Sequence, residues 1–101
     1  MAYTHPQHSM DKSHVLELRK NLGSILQGRR KALGKTQAAL AHEIGVEFYT
    51  FISQVEGGKA RVPPDRIIAY ARALKMAPAE LAELIIKHYD PLTYEALRMK
   101  K

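Results

Sequence analysis

Between Thr36 and Lys59 two short apolar repeats flank one glycine, and that spacing restricts the fold more than any other feature. The first repeat, from Thr36 to Ile44, puts Leu40, Ala41 and Ile44 on one helical stripe. Gly45 then ends it and Val46 can plug the turn. The second runs from about Phe48 to Glu56, with Phe48, Ile52 and Val55 on one face and Tyr49, Thr50, Ser53 and Gln54 largely on the other. Two helices joined by a tight turn, the second with a polar and aromatic free face, are how a chain presents a helix to the major groove of DNA.

The flanking sequence reads as support for this pair. Ser13 is placed to cap a first helix, in which Val15, Leu18, Leu22, Leu26 and Leu33 form one stripe ending at Gly34. Gly23 and Gly28 each weaken a helix by up to about 1 kcal/mol relative to Ala, which allows a bend or break near Asn21–Gly23. Thr36 caps the second helix through its hydroxyl, and Ala38, Ala39 and Ala41 allow a neighbouring helix to come close. Gly57-Gly58 ends the third, and Lys59, Arg61, Pro63 and Pro64 form a basic, stiff exit loop. Pro64 or Asp65 opens a fourth with Ile67, Ile68, Ala71 and Leu74 inward. Pro78 suits the first position of a fifth that carries Leu81, Leu84, Ile85 and Tyr89. Asp90-Pro91 breaks it, and Leu92 to Met99 can add a sixth. The expectation is an all-α fold of five or six helices: a disordered tail over residues 1–12, a domain over 13–90, and a short C-terminal helix over 91–101 as a dimerisation element.

With 101 residues the chain is one domain. It has no cysteine, which excludes disulfides and thiolate metal sites and fits a reducing cytoplasm. No apolar run approaches the roughly 18 residues of a membrane span, and no secretory signal is evident. His5, His8 and His14 lack the cysteine or carboxylate company of a metal site, so neither metal nor cofactor is expected. The net charge is +6, unevenly spread: residues 12–75 hold 12 Lys/Arg against 5 Asp/Glu, a net +7, whereas residues 76–101 hold 4 against 4. A basic excess favours polyanions, although charge alone leaves a plain solvated surface equally open.

These residues resemble the lambda-repressor-like helix-turn-helix family (the XRE-like group), which includes the phage Cro and repressor domains and many small bacterial regulators. The matching marks are Leu22-Gly23, Arg30, Gly34, Thr36-Gln37, Leu40-Ala41, Gly45-Val46, Ile52-Ser53, Val55-Glu56, Gly58-Lys59, Pro63 and Ala73-Leu74. The resemblance covers about Leu22 to Leu81. Lys35 stands where the family usually has Leu, and one extra residue lies between Gly45 and Glu56, which rotates any helical side chain before Ile52 by about 100°.

The resemblance implies that Gln37 holds the sugar-phosphate backbone and that Gln54 reads a base, its amide suiting the N7 and N6 edge of adenine. Tyr49, Thr50 and Ser53 share Gln54's free face. Lys35 and Thr36 at the start of the second helix, and Lys59 and Arg61 beyond the third, are candidate phosphate contacts, as is Arg29. Phe48 is expected in the core, and Phe51 is left unassigned. Arg30 and Glu56 match the family's structural ion pair. No Ser–His–Asp set, paired carboxylates or phosphate loop stands out, so the chain is not read as an enzyme. The expected function is a cytoplasmic, sequence-specific double-stranded DNA-binding regulator, a repressor acting as a homodimer on an inverted repeat. Two rivals remain: an antitoxin or phage-type accessory regulator with a protein partner, and an antiactivator that uses the fold only for protein interaction.

Overall fold

The computed structural model describes residues 11–99. These form six α-helices and no strand: α1 (Lys12–Ala32), α2 (Gln37–Glu43), α3 (Thr50–Glu56), α4 (Ile67–Ala73), α5 (Pro78–Tyr89) and α6 (Pro91–Arg98). A 3-10 turn at Pro64–Arg66 leads into α4. The core lies between α1, α2, α3, α4 and α5, and Leu26, Leu40, Ile52, Tyr70, Leu74 and Leu81 are fully buried in it. The tail expected over residues 1–12, with His5 and His8, lies outside the described residues as far as residue 10.

Helix α1 begins one residue ahead of the expected cap. Asp11, not Ser13, is the N-cap: its carboxylate accepts from the Ser13 amide at 3.1 Å and the Ser13 hydroxyl at 2.8 Å. Those two bonds hold the Asp11 carboxyl below its ordinary pKa. The break allowed near Asn21–Gly23 is absent, and α1 runs unbroken through both glycines. Gly23 is buried against α3, where an added Cβ would collide with the Glu56 carbonyl. The missing side chain therefore marks a close helix crossing.

Four helices end alike. After α1, α2, α3 and α4 the chain enters the left-handed region at Gly34, Gly45, Gly58 and Lys75, and paired backbone bonds close each end, such as Val46 N to Ala41 O at 3.0 Å and Gly45 N to His42 O at 3.2 Å. This is the Schellman arrangement, which satisfies carbonyls that the last turn leaves unpaired. At Lys75 a side chain occupies a conformation that glycine holds without strain, with φ 59°.

Several packing expectations need correction, among them Leu33, which closes the expected α1 stripe but is exposed. Phe48 is 66 % exposed, and Phe51 packs against the core instead. Helix α3 starts at Thr50, two residues later than the apolar period suggests, because a longer turn over residues 44–49 absorbs the extra residue. Ile52 and Val55 keep their buried register. On α4, Ile68 is 56 % exposed whereas Tyr70 is fully buried. Ile67, Tyr70, Ala71 and Leu74 follow one i, i+3, i+4, i+7 stripe, and Ile68 falls to its side.

A candidate DNA-reading face

Helix α3 is held at its back and its end. Ile52 and Val55 enter the core, and the Glu56 carboxylate forms a bidentate ion pair with Arg30 of α1: Nε to Oε2 at 2.6 Å, Nη2 to Oε1 at 3.0 Å. Both side chains are at least nine-tenths buried. The hydrogen bond to Glu56 raises the Arg30 pKa above its ordinary value, so the guanidinium stays charged. Gln37, the first residue of α2, donates Nε2 to Glu56 Oε1 at 3.0 Å, and Arg30 Nη1 donates to the Lys35 carbonyl at 2.7 Å. The start of α2, the end of α3 and the last turn of α1 are thereby joined at one carboxylate.

This arrangement gathers some of the expected contact residues and diverts others. Thr50, Ser53 and Gln54 are exposed on the side of α3 away from Ile52 and Val55, and Tyr49 is 54 % exposed just ahead of them. Thr36 caps α2 through its hydroxyl, which accepts from the Ala39 amide at 3.0 Å. Gln37 is half-buried, and its amide retains a second N–H beyond the one given to Glu56. Lys59 is exposed in the loop after α3.

Lys35 and Arg61 are not free in the way the sequence suggests. Lys35 Nζ lies 2.6 Å from the Ala73 carbonyl and 2.8 Å from Glu43. Arg61 pairs with Asp90 at 2.9 Å and stacks over the Tyr89 ring at 5.2 Å, on the side of α5 and α6. Arg29 likewise gives Nε to Leu74 O at 2.8 Å and Nη2 to Lys75 O at 2.7 Å. Lys35 and Arg29 thus neutralise three successive carbonyls at the negative end of α4. A basic residue before a helix carries the same sequence signature whether it meets a phosphate or a distant helix end.

Sequence reasoning passed over Arg66. Its guanidinium donates to the Ile44 carbonyl at 3.0 Å, where α2 ends and the turn begins. Nothing in the sequence spacing signals a contact across 22 residues. In front of that turn, Ala38, Ala41, His42, Val46, Glu47, Phe48 and Tyr49 line a shallow groove of about 200 Å³. A second groove, about 310 Å³, lies between α5 and α6 and is lined by Ala79, Ala82, Glu83, Ile86, Tyr94, Leu97 and Arg98.

The paired short helices, the glycine turn and the exposed polar side of α3 agree with the match of a family model described as a helix-turn-helix domain, which spans residues 21–84. The chain belongs to the helix-turn-helix domain family. It is in the class of DNA-binding transcriptional regulators that use such a domain. Among solved structures, this helix-turn-helix chain is similar to the clp gene regulator ClgR from Corynebacterium glutamicum, with a TM-score of 0.57 and 23 % identity over 78 % of this chain and 83 % of that one. At that identity the likeness is one of fold. No curated protein matches the sequence. Among the described residues, no helix is long and apolar enough to cross a membrane.

Proposed function

We propose that the protein is a sequence-specific regulator of transcription in the cytoplasm, a repressor that binds an inverted-repeat operator as a homodimer. The observation that carries this reading is the division of α3: one side and its end are fixed by Ile52, Val55 and the Arg30–Glu56–Gln37 cluster, leaving Thr50, Ser53 and Gln54 exposed. A rigidly held helix with an unused polar face suits major-groove readout. The net +7 of residues 12–75 supports attraction to a polyanion. Similarity to a gene regulator is consistent with this role.

Gln54 reads a base, Gln37 and Lys59 meet phosphates, and Thr36, Tyr49, Thr50 and Ser53 complete the contact surface. Lys35 and Arg61 contribute positive potential from positions tied to the protein itself. One reading helix gives limited discrimination, and two-fold dimers on paired half-sites overcome that limit. Leu92, Leu97 and Met99 are 49, 67 and 71 % exposed along and just beyond α6, which supports a dimer contact there. An antitoxin or accessory regulator would offer this same apolar surface to a partner protein.

Operator binding measured by fluorescence anisotropy tests the reading. Affinity should fall steeply as salt rises, because each neutralised phosphate releases counterion. Gln54→Ala should cost about 1–3 kcal/mol at one base position per half-site, whereas Lys59→Ala should weaken all sequences about equally. Failure to shift any DNA at low salt, together with tight, salt-insensitive binding to a protein, would overturn the proposal in favour of the interaction-only alternative.

A further inference from the structure

We propose that Phe48 reads the 5-methyl group of one thymine in each operator half-site. This rests on the DNA-binding reading and adds a base preference to it. The Phe48 ring is left out of the core and is 66 % exposed, while Phe51 packs against the core. Residue 48 also lies two residues ahead of α3, beside the N-cap Tyr49. The Phe51 amide donates to the Phe48 carbonyl at 3.3 Å, so the backbone is already winding into α3 there. The N-terminal residues of such a helix are the ones that reach base edges.

Chemistry narrows the target. A phenyl ring offers no donor or acceptor, and the apolar feature on the major-groove edge is the thymine methyl. Glu47, exposed beside it, repels phosphate oxygens and so disfavours the sugar-phosphate strand as the contact. Phe48 itself lines the shallow groove together with Ala38 and Val46, which gives the ring apolar neighbours at that surface.

The test uses the full chain and sites selected from random duplex DNA. Each thymine is replaced in turn by deoxyuridine, which lacks only the methyl. One thymine per half-site should then weaken binding about four-fold, as expected for losing one buried methyl. Phe48→Ala, with its helical circular dichroism intact, should bind the thymine and deoxyuridine duplexes equally. Phe48→Leu should keep the distinction. Wild-type protein that selects sites yet tolerates deoxyuridine everywhere, or Phe48→Ala that still discriminates, would overturn the methyl contact alone. Absence of binding to any duplex at low salt would overturn the DNA-binding reading as well.

Discussion

Glu56 accepts from three nitrogens, Arg30 Nε and Nη2 and Gln37 Nε2, in a site almost closed to water. Removing one partner of a buried pair leaves the other charged and unpaired. Glu56→Ala should therefore cost about 3–5 kcal/mol in urea unfolding, and a loss under about 1 kcal/mol would show that the cluster does not hold α3. Tyr70 is the opposite case, because its buried hydroxyl has no hydrogen-bond partner among the described residues. Tyr70→Phe should be neutral or stabilising by up to about 1 kcal/mol. Burial raises the Tyr70 pKa above 10.0, its ordinary value. The folded state therefore keeps a proton that the unfolded chain releases above that pH. The stabilisation is complete below pH 10 and declines as pH rises beyond it, and Tyr70→Phe should flatten this alkaline limb of a stability–pH curve. The Arg30–Glu56 pair was legible in the sequence through the family pattern. Tyr70 was not named, although it lies on the same helical stripe as Ile67, Ala71 and Leu74, because a phenol with a polar tip carries a weaker core signal than Ile68 beside it.

At the scale of elements, the two glycines within α1 make a matched experiment. Gly28 has open space where a Cβ would stand, so Gly28→Ala should stabilise by up to about 1 kcal/mol through helix propensity. Gly23→Ala should destabilise by about 1–3 kcal/mol or more, because α1 must shift off the Glu56 backbone. Equal thermal shifts for the two variants would contradict the close crossing. Lys75→Gly should stabilise by about 0.5–1 kcal/mol by relieving a left-handed residue at the end of α4, while Arg29 keeps its bond to the position-75 carbonyl. Helices α2 and α5 were legible because stop and start residues bracket a regular apolar period: Thr36 and Gly45 for one, Pro78 and Asp90 for the other. The beginning of α3 lacks a side-chain cap, and the Phe48–Phe51 spacing fits two helical registers, so periodicity alone gave the wrong ring to the core.

For the whole molecule, removing α6 by truncation after Tyr89 should leave a folded domain that binds a half-site weakly and loses cooperative binding to a full operator. Sedimentation showing that the intact chain is a monomer at tens of micromolar, free and on DNA, would rule out a dimer through this segment. A stable dimer needs on the order of 1,200–2,000 Å² of total buried area, so contacts beyond the exposed α6 residues must contribute. In the proposed reading, stability and target choice reside in different side chains in and just ahead of α3. Glu56 and Gly58 secure the helix end against α1, and Ile52 and Val55 secure its back, whereas Tyr49, Thr50, Ser53 and Gln54 face outward. Exchanges at such outward positions typically alter stability by no more than about 0.5 kcal/mol. A lineage carrying this scaffold can therefore acquire a new operator by stepwise change while every intermediate remains folded, and paralogues that diverge in address can share one unchanged interior.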